Sequence, residues 1–316
     1  MSTSWQFPDN ERMEAHLAAS GAALRVLKRE SSHYSTTFPC EVVTCQLPGG
    51  QTAELFCKYS AGIDHTGFGH RGGPAYELFV YRDVLAPIGA SVPKFYGGQV
   101  DSHSGEAWLA LEYLPGALSV GKMHREGAML AAARWIGQFH RSTEEHNLSV
   151  RKHGIQVYSL EYYLGWVDRS LETSASLPRK LPWLTALRAR AEELFAPLVK
   201  TPVCVIHGEY YPHNVLYHEG RVLPVDWESA VIAAGEIDLA SLIEEWPRTT
   251  VEQCIAAYVA QRWPSGAPDE GFEQRLLAAR LYFCFRWLGD YGDWSDDGRR
   301  ACLRRLRGIG RQMGVF

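Results

Sequence analysis

The sequence predicts an α+β fold, with a small N-terminal lobe on an antiparallel sheet joined at about residue 115 to a larger helical lobe. Three observations predict it. Cys40–Leu47 and Ala53–Tyr59 are strand-like runs flanking Pro48-Gly49-Gly50, the signal of a hairpin. From about residue 117 onward, apolar residues recur at helical rather than strand spacing. Between the two regimes stands Leu114-Pro115-Gly116, which breaks either pattern. The expected domains are 1–115 and 116–316.

Each element follows from its own signal. Leu24–Arg29 reads as a short strand, and the polar stretch Ser31–Thr37 separates it from the hairpin. A glycine-rich linker, Gly62 to Gly73, leads through Pro74 into a helix over Ala75–Leu85, where Leu78, Tyr81 and Leu85 share a face. Ser91–Val100 and Ala107–Tyr113 are two more strands. Beyond the break, Gly127–His146 carries Leu130, Ala133, Ile136 and Phe139 along one side. Further helices are expected over Leu160–Leu171, Trp183–Leu198, Val251–Gln261, Phe272–Leu288 and Arg299–Met313. A strand-rich block, Val203–Val225, interrupts them.

Composition narrows the class. At 316 residues with 46% apolar and 22% charged residues, the chain buries enough surface to need no disulfide or metal staple. Lys plus Arg is 32 against 36 for Asp plus Glu, a formal charge of −4, which argues against nucleic acid as a partner. No apolar run approaches the roughly 20 residues of a membrane span. Met1 to Asn10 has neither the basic start nor the apolar centre of a secretory signal. The seven cysteines are odd in number, form no CxxC pair and lie mostly in apolar runs, so buried reduced thiols and a cytoplasmic location are expected.

The densest chemistry lies in His207-Gly208-Glu209-Tyr210-Tyr211-Pro212-His213-Asn214. An apolar strand ends in His-Gly, a carboxylate follows, and an asparagine comes five residues later. After a turn at Glu219-Gly220, a second strand ends in Asp226-Trp227-Glu228. Two short strands are thus expected to deliver Glu209, Asn214 and Asp226 to one end of a hairpin. Oxygen ligands on such a scaffold suit Mg²⁺, which takes one or two protein ligands plus substrate phosphates. A further carboxylate beside them can orient a hydroxyl for phosphoryl transfer.

This block resembles the HGDxxxxN catalytic loop and the following hydrophobic-Asp-Trp-Glu element of aminoglycoside phosphotransferase-like kinases, small-molecule relatives of the protein kinases that include choline kinases. Gly235-Glu236-Ile237-Asp238-Leu239-Ala240 resembles the family's G-x-x-Asp-Leu-Ala segment, in which the aspartate is chiefly structural. Upstream, Leu55-Phe56-Cys57-Lys58 resembles the strand bearing the nucleotide lysine, and Glu77-Leu78-Phe79-Val80-Tyr81-Arg82 the helix bearing its glutamate partner. Leu109 to Gly116 resembles the hinge. The likeness runs in order from about residue 22 to 245.

The resemblance implies a protein-kinase-like two-lobe fold and a Mg²⁺-dependent phosphotransferase using ATP or GTP on a hydroxyl of a small molecule. Lys58 would hold the phosphates and be positioned by Glu77. Asn214 and Asp226 would be the metal ligands. Backbone groups of Glu112, Tyr113 and Leu114 would meet the base, and Ser31–Thr37 would cover the phosphates. Glu209 departs from the family, which has aspartate at this position. Its carboxylate sits one methylene farther out, and a misplacement of about 1 Å can cost on the order of 100-fold in rate. The resemblance therefore carries an alternative: a nucleotide-binding pseudokinase that transfers nothing.

Other patterns yield less. Gly67-Phe68-Gly69-His70-Arg71-Gly72 matches GxGxxG, yet Ser60 to Thr66 separate it from the preceding strand, so a linker is expected rather than a dinucleotide turn. His207, His213 and His218, six and five residues apart, have no zinc-site spacing. Late aromatics (Tyr282, Phe283, Phe285, Trp287, Tyr291 and Trp294) read either as helix core or as an acceptor pocket. Beside them Asp290, Asp293, Asp296 and Asp297 read either as a solvated loop or as an attraction for an aminoglycoside or other amine, a charge that Arg286, Arg299 and Arg300 are expected to offset in part.

Overall fold

Pro48-Gly49-Gly50 does make a hairpin turn, with both glycines in the left-handed region at φ 98° and 86°, where a side chain would be strained. In the computed structural model the described residues are 8–32, 37–60, 68–69, 71–123, 125–151, 154–174, 181–200, 202–290 and 296–316. Helix α1 (Asn10–Ala19) opens on Asp9, whose carboxylate accepts the Arg12 N–H at 2.8 Å. Strands β1 (Arg25–Ser31), β2 (Cys40–Gln46) and β3 (Thr52–Tyr59) follow. Helix α2 (Gly73–Phe79) has Pro74 in its first turn and continues as a π-helix over Val80–Leu85, where the Ala86 N–H reaches the Tyr81 carbonyl at 3.0 Å. Strands β4 (Phe95–Val100) and β5 (Ala107–Glu112) complete an antiparallel sheet of order β1-β2-β3-β5-β4. Strand β4 starts later than its sequence pattern because Pro93 has no N–H for a ladder.

Next come β6 (Leu118–Ser119), α3 (Val120–Met123), α4 (Glu126–Arg151) and α5 (Leu160–Ser174). The helix expected over Trp183–Leu198 is two, α6 (Pro182–Ala189) and α7 (Ala191–Val199). They break at Arg190, whose N–H bonds the Leu187 carbonyl at 3.2 Å and whose guanidinium reaches the Gly314 carbonyl at 2.8 Å. Then follow β7 (Cys204–Ile206), β8 (Val215–His218), β9 (Arg221–Pro224), β10 (Val231–Ala233), α8 (Glu236–Ile243), α9 (Arg248–Arg262), α10 (Phe272–Gly289) and α11 (Asp296–Gln312).

The chain divides into two units. One comprises Met1–Thr66, His70–Lys122 and His213–Ser229. Its core lies between α1 and the large sheet: Met13 and Leu17 pack with Val26, Val43, Cys45, Leu55, Cys57, Tyr59, Trp108 and Ala110. A second, three-stranded sheet in this unit has the order β6-β8-β9. The other unit comprises Gly67–Gly69, Met123–Pro212 and Ala230–Phe316. There α10 is the central helix, packed by α5, α7, α8 and α11, and α4 lies along α9. All seven cysteines are free and buried, and burial pushes the thiols of Cys40 and Cys204 up to about 12.

One expectation needs correction. Glu209 does not share a hairpin with Asn214 and Asp226. Strand β7, which leads to Glu209, pairs antiparallel with β10, Ile206 opposite Val231. Strands β8 and β9 pair with each other, Val215 opposite Pro224, and carry Asn214 and Asp226. Sequence adjacency suggested one sheet, but the three buried residues of β7 find their ladder in a strand 25 residues downstream of Ile206, at Val231.

Candidate active site

Alternation along β3 sends Leu55, Cys57 and Tyr59 into the core and leaves Lys58 on the opposite face. Its ammonium lies 2.9 Å from Glu77 Oε2, 2.6 Å from Asp226 Oδ1 and 3.3 Å from Glu228 Oε2. One cation thus meets three carboxylates. Burial alone would lower the Lys58 pKa, but Glu77, Asp226 and Glu228 outweigh it and hold the value well above the ordinary one. Burial acts most strongly on Glu77 and raises its pKa, although Lys58 pulls the other way.

Each carboxylate is delivered by a different local device. Glu77 projects from α2, and its Oε1 accepts the Trp227 N–H at 3.1 Å, tying helix to turn. Asp226 follows β9 in a left-handed conformation, φ 68°, unusual for a residue other than glycine. Its side chain is 39% exposed, against 13% for Lys58, so it is open to a ligand while one oxygen faces the ammonium. Glu228 lies in a single 3₁₀ turn, Trp227–Ser229, whose Glu228 carbonyl accepts the Gly72 N–H at 2.9 Å. Asn214 precedes β8; its side chain is buried and its carbonyl accepts the Val225 N–H at 2.9 Å, one residue before Asp226.

The sequence-predicted hinge sits at the end of β5. Glu112 exchanges two bonds with Lys94: its N–H donates to the Lys94 carbonyl at 2.8 Å, and its Oε2 accepts the Lys94 N–H at 3.1 Å. The Tyr113 N–H donates to the Glu54 carbonyl at 3.1 Å, and the Leu114 carbonyl accepts the Ala117 N–H at 3.1 Å. The Glu112 N–H, the Tyr113 N–H and the Leu114 carbonyl are therefore committed to the protein itself.

Glu209 belongs to the helical unit. The His207 and Gly208 N–H groups both donate to Asp238 of α8, at 2.7 and 2.9 Å, and His140 Nε2 lies 3.1 Å from the same carboxylate. Gly208 has φ 82°. Gly235 allows α8 this close: a Cβ there would fall 2.0 Å from Arg262 Nη1 and 2.6 Å from His140 Nδ1. The Glu209 N–H donates to His207 Nδ1 at 3.3 Å, so that nitrogen is the unprotonated one. These bonds give Asp238 and His207 backbone-holding roles.

Sequence reasoning missed the partner of Glu209. Arg286, buried in α10, donates Nη2 to Glu209 Oε1 and Nη1 to the Gly208 carbonyl, the latter at 3.1 Å. Its expected part in offsetting a surface acidic group is thus wrong: it faces inward. A signal existed, since Arg286 stands between Phe285 and Trp287 in an apolar run, and a buried arginine requires a partner. Burial alone would lower the Arg286 pKa; Tyr282 and Glu209 lead the opposing effects, which hold it well above its ordinary value.

Of the late aromatics, Tyr282, Phe283 and Phe285 are core residues, and Trp287 is half-buried with Nε1 donating to Tyr211 OH at 3.2 Å. Tyr291, Asp293 and Trp294 lie outside the described residues, as do 33–36 of the expected phosphate cover and Gly67 and His70 of the GxGxxG match.

Comparison with known proteins bears on this arrangement. The profile of a family described as APH, phosphotransferase enzyme family, matches residues 79–271. A sequence search of curated proteins finds no match. Among solved structures, choline kinase LicA from Streptococcus pneumoniae is 14% identical with a TM-score of 0.60, covering 90% of this chain and 94% of that one. The GDP complex of aminoglycoside 2'-phosphotransferase-IIIa is 12% identical, TM-score 0.60, covering 96% and 99%. The amicoumacin kinase hAmiN in complex with AMP-PNP, Ca²⁺ and Ami is 13% identical, TM-score 0.59, covering 89% and 88%. These likenesses show the protein-kinase-like fold, with its antiparallel-sheet lobe and helical lobe, as the sequence predicts. No helix among the described residues is long and apolar enough to cross a membrane.

Proposed function

We propose, because this chain belongs to the phosphotransferase enzyme family, that it transfers the γ-phosphoryl group of ATP or GTP to a hydroxyl of a small molecule. The observation that carries the proposal is the convergence on Lys58 of Glu77, Asp226 and Glu228 from three separate elements. One ammonium against three carboxylates leaves a net charge of about −2, a set of hard oxygen donors that suits a divalent cation. Asn214 and Asp226 would hold Mg²⁺, which when bound neutralises charge on the transferring group. The ligands of two neighbours, GDP in one and AMP-PNP with Ca²⁺ in another, support a nucleotide and a metal here.

In this reading Lys58, oriented by Glu77, binds the phosphates. The purine edge meets the backbone at Glu112–Leu114; with the Tyr113 N–H and the Leu114 carbonyl already bonded, the Leu114 N–H is the donor in that segment. Glu209 orients the acceptor hydroxyl. The acceptor oxygen forms a bond to the γ-phosphorus, the bond from that phosphorus to the β–γ bridging oxygen breaks, and the nucleoside diphosphate leaves. The hydroxyl proton passes to Glu209 as it is lost. The acceptor class, by analogy with the choline, aminoglycoside and amicoumacin kinases, is a small alcohol-bearing molecule.

A panel of amino-alcohols, sugars and aminoglycosides, each incubated with MgATP or MgGTP, tests the reading by release of nucleoside diphosphate. Acceptor-dependent release with at least one member, lost in Asp226→Ala, is expected. The second reading, nucleotide binding without transfer, draws on Glu209 standing where the family has aspartate. It expects nucleotide to bind with no acceptor-dependent release anywhere in the panel.

A further inference from the structure

We propose that Arg286 is a positioning residue for Glu209, and that this pair makes glutamate rather than aspartate the working residue at this place in the chain. The inference rests on the phosphotransfer reading above. It begins from reach. Arg286 is buried on α10, and its guanidinium touches two consecutive groups of the loop after β7: the Gly208 carbonyl and the Glu209 carboxylate. An aspartate carboxylate would be withdrawn by about 1.5 Å, one carbon–carbon bond. That would take it out of hydrogen-bond range and leave a buried arginine without its anion, a costly arrangement.

The fork also removes freedom. A glutamate has three side-chain torsions, and an untethered one samples many positions. Here Oε1 is fixed by Nη2, while Nη1 of the same planar group is anchored to the backbone one residue earlier. The carboxylate is therefore held relative to its own main chain. From the other side, Asp238 grips the His207 and Gly208 N–H groups at 2.7 and 2.9 Å. The loop is clamped at its donors by α8 and at its acceptors by α10.

Pairing a general base with arginine weakens it as a base, which would defeat a reaction that needed early proton removal. Phosphoryl transfer runs through a loose transition state and depends on alignment more than on basicity. A fixed, ionised carboxylate suits it. Such an arrangement also explains how the extra methylene is accommodated: the longer side chain spends its reach on Arg286 rather than on the acceptor.

The test combines two readouts on the full chain. The first is a double-mutant cycle in chemical unfolding with Glu209→Gln, Arg286→Met and the double variant. Coupling is expected: each single change lowers the unfolding midpoint, and the double change loses less than the sum. The second is steady-state hydrolysis of MgATP and MgGTP by water, which needs no identified acceptor. Arg286→Lys keeps the charge but loses the fork; it is expected to lower kcat by about 10- to 100-fold with the KM for nucleotide within twofold. Glu209→Asp is expected to lose both midpoint and kcat. A Glu209→Asp enzyme as stable and as fast as the wild type would overturn the proposal, as would an additive unfolding cycle. If the wild type neither binds nor hydrolyses nucleotide, the phosphotransfer reading falls and the positioning role with it. A coupled cycle in that case marks the pair as structural only.

Discussion

Around Lys58 one ammonium meets three carboxylates, and Asp226, at 39% exposure, remains open to solvent. Around Arg286 one guanidinium meets one carboxylate, and both are buried. The first cluster carries more negative charge than its cation can neutralise. The second is balanced and closed. An under-neutralised, partly open set is what a site for an added cation and a phosphate chain requires. A balanced, closed pair holds a group still. The difference also separates what each change should do: loss of Asp226, the open member of the first cluster, should cost function more than stability, and substitutions around Glu209 should cost both.

The largest effect expected is functional. Asp226→Ala should lower MgATP turnover on the order of 10³-fold, comparable to losing one electrostatic stabiliser of a transferring group. Its melting temperature should hold or rise, because a carboxylate leaves a set that exceeds its cation. A large drop in melting temperature would break the contrast. Glu77→Ala is next. It strands the Trp227 N–H, now 3.1 Å from Glu77 Oε1, and should cost about 1–3 kcal/mol in denaturant unfolding. Glu77→Gln keeps an acceptor there and should lose less stability, while still weakening nucleotide binding through Lys58.

Gly208→Ala probes the closed pair. With φ at 82°, a side chain should cost about 1–2 kcal/mol of stability and displace Glu209 enough to slow turnover. Unchanged stability would mean that the loop relaxes without loss. The smallest effect is a pH dependence. His140 is fully buried, and burial holds its pKa below the ordinary value despite the Asp238 carboxylate. The unfolded chain therefore binds a proton that the folded one resists. Stability should be complete above about pH 6.5 and fall as pH drops through the ordinary histidine range toward the lower folded value. His140→Gln should flatten that limb, as read by urea midpoints between about pH 7 and pH 5.

How much of this was legible in the sequence depended on the kind of contact. Strand β3, the hairpin turn and the helix of Glu77 carry local signals, and Lys58, Glu77, Asn214 and Asp226 lie in ordered motifs. Helix α8 was not predicted as a helix, and family resemblance marked only its Gly235–Ala240 segment: every residue from Glu236 to Ile243 is buried, so it has no solvent-facing side and no amphipathic period. Helix α1 was missed for the opposite reason, since only Met13 and Leu17 are buried in a polar segment. The β7–β10 pairing and the Arg286–Glu209 contact, 77 residues apart, are long-range choices that no local window contains. The π-helix after α2 likewise left the spacing of Leu78, Tyr81 and Leu85 looking like an ordinary helix.

The most direct measurement is thermal unfolding of the wild type and Asp226→Ala with AMP-PNP and with GMP-PNP, each with and without Mg²⁺. Ligand at about 100 times its dissociation constant stabilises the native state by roughly 2.7 kcal/mol, a shift of several degrees for a chain of this size. If the Lys58 cluster is a nucleotide and metal site, the wild type should shift with one analogue only when Mg²⁺ is present, and Asp226→Ala should lose most of that shift. No shift with either analogue, or an equal shift in Asp226→Ala, would contradict it.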